Sequence, residues 1–117
     1  MEHSLYHYKA TVLDVYDGDT LTVAIDLGFN VQLRKEKIRL NRINAPELKE
    51  RSKKQGIASR DFLRSLILEK EITLQTIKDR KEKYGRYLGE VWITADGKDV
   101  NVNDELVKKG FAKYQKY

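Results

Sequence analysis

The sequence has no cysteine and only one proline in 117 residues. Without thiols there are no disulfide staples, no cysteine-ligated zinc and no thiol nucleophile. The compartment stays open, because exported bacterial domains also manage without cysteine. Long apolar runs are missing too, and no stretch approaches the roughly 20 residues that span a bilayer. The opening segment "MEHSLYHYKA" has no basic stretch followed by an apolar one, so it does not read as a signal peptide. A trimmed exported domain and a cytoplasmic one would both look like this. No repeat, low-complexity tract or linker interrupts the chain. A chain this long builds one domain with its own core and needs no metal to hold it. Residues 1–7 read as an arm and residues 8–117 as the domain.

What the sequence does have is charge. Lys and Arg number 23 against 18 Asp and Glu, a net charge of +5 with a pI near 9.3. A basic surplus on a small domain points to an anionic partner, nucleic acid first. A solvated surface gives the same balance, so charge alone does not choose.

Periodicity supplies the elements. "YKATVLDVY" (Tyr8 to Tyr16) reads as a strand, and "DGDT" as a turn. "LTVAIDL" alternates, with Leu21, Val23, Ile25 and Leu27 on one face. After a turn at Gly28, "VQLRKEKIRLNRI" reads as a long third strand, bent or bulged in "RKEK". Pro46 ends the strand region. A helix follows, with Ala58, Phe62 and Leu66 as its stripe, widened by Leu63 and Ile67. Gly56 marks its expected start, leaving Lys49 to Gln55 as a basic loop. Glu71 to Asp79 and Tyr87 to Ile93 read as two more strands, and "ADGK" as a tight turn. A short helix closes the chain, with Asn103 as N-cap, Leu106 and Val107 facing inward, and Gly110 as its stop. The class is α+β, mainly β. Five strands with a helix between the third and fourth give the order of a five-stranded OB barrel, here with a short C-terminal helix. Other small α+β folds share that order.

Candidate chemistry sits at the turns. Asp17 and Asp19 flank Gly18; two carboxylates so spaced can face a hard cation, and an ordinary hairpin turn reads the same. Pro46 fixes its φ and stops the ladder, which holds Glu47 just outside the barrel, where a carboxylate can take a proton from water. Arg39 has the opposite parity to Ile38 and Leu40, so it points out of the core, either into solvent or at a phosphate. Arg42 shares parity with Leu40 and needs a bulge or a strand exit to escape the core. "EKYGR" ends a charged loop, and "KYQKY" alternates cations with aromatics, which suits base stacking beside phosphate contacts as well as a frayed tail. His3 and His7 have helical spacing without acidic neighbours, and read as unstructured. Trp92 reads as core or rim packing.

In order, "DGDT", "IRLNRINAPE", "KYGR" and "VNDELVKKGFAKY" resemble the thermonuclease family, the staphylococcal nuclease-like domains, from about Lys9 to about Tyr114. The resemblance implies an OB barrel and Ca²⁺-dependent hydrolysis of DNA and RNA phosphodiesters that leaves 3′-phosphate ends. It implies that Asp19 binds the single metal ion and that Asp17 supports it. Ala45 would offer the ion its backbone carbonyl, and Asn44 stands where a second metal-binding aspartate is found. Arg39 and Arg86 match the phosphate-binding arginines, and Glu47 the glutamate that positions or activates water. Lys83 and Tyr84 match contacts to a terminal phosphate. Tyr114 and Tyr117 match the stacking tyrosines only loosely.

Three departures qualify the resemblance. Asn44 brings an amide oxygen without charge, so weaker metal affinity and a changed cation preference are expected. Arg42 occupies a place where many members have a small residue. The chain ends at Tyr117, before the C-terminal helix of the longer nucleases. A competing reading is therefore a barrel that binds single-stranded nucleic acid or a protein without cutting. A monomer acting on single strands, with no membrane partner, is the working expectation.

Overall fold

A computed structural model describes residues 5–49 and 51–115. The strands are β1 (His7–Asp17), β2 (Thr20–Asp26), β3 (Gln32–Leu40), β4 (Ile43–Asn44), β5 (Glu71–Lys81), β6 (Tyr87–Ala95), β7 (Lys98–Asn101) and β8 (Lys113–Tyr114). The helices are α1 (Lys53–Ile67) and α2 (Val102–Lys108). Antiparallel pairings run β3-β2-β1-β5-β6-β7, and a parallel pairing of β3 with β6 joins the two ends. Five strands, β1, β2, β3, β5 and β6, thus form a closed OB-type barrel. β7 extends it through a hairpin, and β4 and β8 make a separate small ladder. Among the described residues no helix is long and apolar enough to cross a membrane.

The alternating residues of the strands fill the barrel. Val12, Val15, Leu21, Val23, Ile38, Leu40, Leu74 and Val91 are fully buried, with Leu63 and Ile67 of α1 and Leu106 of α2. The bulge expected in "RKEK" is present: Val23 pairs with Glu36 and Ile25 with Leu33, so β3 carries one extra residue there. "ADGK" turns as expected, with positive φ at Asp96 and Gly97.

Other expectations are corrected. Leu27 leaves the core face and is exposed, because β2 ends at Asp26 and the chain turns. The third strand breaks at Asn41 and Arg42, where φ is positive at Arg42, so "VQLRKEKIRLNRI" forms two strands. α1 begins at Lys53, ahead of Gly56. Position 56 lies inside the helix and is glycine because a Cβ there would lie 2.6 Å from the Glu47 carbonyl oxygen. The buried stripe of α1 is Gly56, Ser59, Leu63 and Ile67, while Ala58 is exposed and Phe62 and Leu66 are half-buried. Phe62 instead stacks on Phe111, ring centres 4.5 Å apart. His7 opens β1 and is paired with Gln75, whereas His3 lies outside the described residues. Trp92 sits at the barrel rim and donates its indole N–H to Gln75 at 3.1 Å.

The N-cap of α2 is Asn101, whose side chain accepts from the Asp104 N–H. Asn103 does something else. Fully buried, it accepts from Val91 N–H and donates to the carbonyls of Asn41 and Gly89. One amide therefore joins α2, β6 and the exit of β3.

Candidate functional site

The first wall of the site is the turn between β1 and β2. Gly18 has no positive φ; it is needed for closeness. A Cβ there would come within 2.7 Å of both Ala45 Cβ and Ser59 Cβ. Without that side chain the turn beds against α1 and the 44–47 corner, and Asp19 is carried inward. Asp19 is almost fully buried. Its Oδ2 accepts from the Ala45 N–H at 2.9 Å and faces the Arg39 guanidinium at 3.4 Å, and its Oδ1 faces the Thr20 hydroxyl at 3.2 Å. Asp17 accepts from the Asp19 N–H. Burial, then the charge of Asp19, pushes the Asp17 carboxyl up to about 6.

The second wall is the end of β3 and the corner after it. Arg39 does turn away from the core, yet it is not exposed: only 7% of its surface meets solvent. One guanidinium nitrogen donates to the carbonyls of Leu40 and Ile43, and the other to the Asn44 side-chain oxygen at 3.2 Å. A buried arginine needs such partners, since desolvated charge is costly when unpaired. Glu47 follows Pro46 and is exposed, with Lys49 Nζ 2.9 Å from its carboxylate. Its backbone is clamped: the Ser52 hydroxyl donates to the Glu47 carbonyl, and Gly56 passes close by. Ser52 is therefore spent on the corner and does not cap α1.

The third wall is the loop between β5 and β6. Glu82 accepts from the Tyr84 and Arg86 N–H groups and closes the loop, with Gly85 at positive φ. The same carboxylate takes two bonds from the Arg86 guanidinium, each 3.0 Å long. That partner holds the Glu82 carboxyl down at about 2. Arg86 also reaches the Thr20 hydroxyl at 3.3 Å, which aims it at the Asp19 turn. The Tyr84 ring lies between Lys83 and Arg86, at 5.0 and 5.3 Å. Sequence reasoning missed Glu82; its signal was a carboxylate four residues before an arginine around a Gly turn.

These walls enclose an open cleft of about 540 Å³ that gathers Asp17, Asp19, Arg39, Asn44, Glu47, Lys83, Tyr84 and Arg86. Ala45 lies buried at its edge. Two residues singled out from the sequence stay outside it. Tyr114 lies beyond the 44–47 corner and donates its hydroxyl to Asp104. Arg42 binds Glu90 at 2.6 and 3.1 Å and Asp104 at 2.9 Å, with its guanidinium 5.8 Å from the centre of the Tyr114 ring. It neither crowds the strand exit nor faces the cleft. Tyr117 lies outside the described residues.

Among the described residues no three His, Cys, Asp or Glu side chains gather as a metal cluster. The oxygens that do converge belong to Asp17, Asp19 and Asn44. Two carboxylates that repel one another in a half-buried cleft, beside an amide oxygen, are donors that suit a hard cation. Asn44 already accepts from Arg39, so its oxygen has one lone pair left.

The family model described as staphylococcal nuclease homologue matches residues 37–117. The chain is 30% identical to the thermonuclease of Staphylococcus hyicus, over 91% of this chain and 59% of that protein. It is 33% identical to the endonuclease YhcR of Bacillus subtilis, over 90% of this chain and 9% of that protein. It is 29% identical to an uncharacterized protein of Methanocaldococcus jannaschii, over 92% of this chain and 59% of that protein. The chain thus spans about three fifths of two of these relatives and a small part of the third.

Proposed function

The chain belongs to the family of staphylococcal nuclease homologues, and on that premise we propose that it is a metal-dependent nuclease working in the Asp19–Arg86 cleft. The observation that carries the reading is the convergence of Asp19, Arg39, Glu47 and Arg86, from three separate turns, on one open cleft. Its substrate is DNA, RNA or both, taken as a single strand whose backbone fits the cleft. Arg86 is the mobile phosphate ligand: exchanging Glu82 for a phosphate keeps its charge paired throughout. Arg39, tied to two carbonyls, supplies a fixed positive charge behind the phosphate. Glu47, released from Lys49, takes a proton from the attacking water. The bond from phosphorus to the 5′ oxygen breaks; the departing oxygen takes a proton from solvent and becomes a 5′-hydroxyl, and a 3′-phosphate is left on the other strand end. Lys83 and Tyr84 steady a neighbouring phosphate at the cleft rim. Asp19, Asn44 and the Ala45 carbonyl would hold a Ca²⁺ ion, with Asp17 behind them, and the ion would add Lewis-acid charge at the phosphate.

A second reading has specific support. Asn44 lends no charge to a metal, and Glu82 already neutralises Arg86. A barrel of this kind could bind a strand and cut it poorly. Cleavage of single-stranded DNA with Ca²⁺, with Mg²⁺ and with chelator, beside Glu47→Gln, separates the two. The nuclease reading expects calcium-dependent cutting that falls about 10²-fold or more in the variant. Salt-sensitive binding without cutting under any metal selects the binding module.

A further inference from the structure

A second groove, of about 640 Å³, opens on the outer face of the barrel and shares Asp17, Glu47, Tyr84 and Arg86 with the cleft. Its floor is built by register. Asp14, Thr22 and Lys37 stand side by side across β1, β2 and β3. Thr22 is two residues along β2 from Thr20, the residue that touches Arg86. The groove therefore continues from the cleft down the sheet.

Its lining is unlike an ordinary barrel surface. Tyr16 leaves 65% of its surface in solvent, and its side chain makes no hydrogen bond or ring contact among the described residues. Lys35 and Lys37 are exposed, and neither has an ion pair among the described residues. Lys35 and Lys37 share the outward parity of β3 and both line the groove, while the bulge between Leu33 and Glu36 brings Leu33 opposite Ile25. Three carboxylates also line the groove: Asp17 and Glu47 at the end shared with the cleft, and Asp14 on the floor, where Arg64 stands 3.9 Å from it. Lys35 and Lys37, without an ion pair among the described residues, beside an exposed aromatic and next to the cleft, suit a strand whose phosphates meet the lysines while a base stacks on the ring.

We propose that this groove is a strand track: it binds the single-stranded nucleic acid that continues beyond the phosphate held in the cleft, with Lys35 and Lys37 on phosphates and Tyr16 under a base. This deepens the reading above and rests on it for the cleft, but not for the track. The track adds affinity for long strands and no catalytic group, so it sets a length preference.

Binding by fluorescence anisotropy, in chelator so that no strand is cut, tests it. The probes are a single-stranded DNA of about twelve nucleotides, within the span of one OB barrel, and a nucleoside 3′,5′-bisphosphate that fills the cleft alone. In the double variant Lys35→Ala, Lys37→Ala the long probe should bind about tenfold more weakly, and the slope of log K against log salt should fall by about 1.4, for two lost phosphate contacts. Tyr16→Ala should cost about tenfold with the slope unchanged. Neither should alter bisphosphate binding, and Lys35→Arg, Lys37→Arg should bind the long probe as wild type does. Long-probe affinity untouched by both alanine variants, or equal losses for both probes, would overturn the track. A protein that cuts but shows no such dependence loses only the track. One that never cuts yet shows it loses only the nuclease.

Discussion

Two arginine–carboxylate clusters flank the same strand exit, and they are built to opposite ends. Arg42 meets Glu90 in a two-pronged pair and Asp104 beside it, and Asn101 donates to the same Glu90. Every charge there has a partner, and the cluster ties the exit of β3 to β6, α2 and Tyr114. Arg39, only three residues earlier, sits in a cluster where like charges crowd. Asp17 and Asp19 crowd one another, Asp17 is held up to about 6, and Arg86 is lent to Glu82 until something else claims it. A cluster that links separate elements holds parts together. One in which like charges crowd keeps binding energy in reserve for a phosphate and a cation.

The widest gap between the two clusters should open on replacing each arginine with Met. Arg39→Met should cut nuclease activity about 10²–10³-fold, as loss of a fixed transition-state charge does. It should also lower stability, since the Leu40 and Ile43 carbonyls each lose the bond from Arg39. Arg42→Met should leave activity within about twofold and destabilise the fold by about 2 kcal/mol, because Glu90 stays buried with only Asn101; the half-exposed Arg42 side chain keeps this below a fully buried pair. Steady-state cleavage and urea melts on the two proteins read both effects. Equal activity losses would erase the distinction between the clusters.

A middling effect is expected from Asn44→Asp, which adds a third carboxylate beside Asp17 and Asp19. Calcium titration by calorimetry should show roughly tenfold tighter binding. Unchanged or weaker binding would mean that Arg39 claims the new carboxylate for itself. The smallest effect is a pH dependence. Because folding raises the Asp17 pKa from its ordinary 3.8 to about 6, its contribution favours the fold below about 4 and is lost as pH rises through 6. Asp17→Asn should therefore raise stability near pH 7 by about 1 kcal/mol after solvent screening, and change little at pH 4. Melts of both proteins at the two pH values check the sign.

The barrel was legible wherever one face of an element is buried along its whole length. Parity placed Leu21, Val23 and Ile25, and crowding of charge in "RKEK" marked the bulge. Legibility failed where a side chain answers to something distant. Gly56 looks like a helix start, but it lies inside α1 and is required by the Glu47 carbonyl across a loop. Asn103 looks like a cap, but three backbone groups from other elements hold it. Parity also turned Arg39 away from the core without showing that the corner after β3 folds back over it. In the cleft, the motifs named most of the residues that meet there. Glu82 escaped because its partner arginine becomes a neighbour only when Gly85 turns the loop. Tyr114 was drawn in by composition, which does not say on which side of the Pro46 corner a ring will lie.

The parallel pairing of β3 with β6 has a consequence in time. Arg39 stands opposite Leu88 in that pairing, and Arg86 precedes its first residue, Tyr87. This contact joins segments far apart in sequence, the kind that forms late because a long loop must close first. Hairpins such as β1–β2 and β6–β7 can zip locally long before. A refolding chain would thus acquire most of its strands while Arg39 and Arg86 are still on separate pieces. Competence to grip a phosphate arrives only when the barrel shuts.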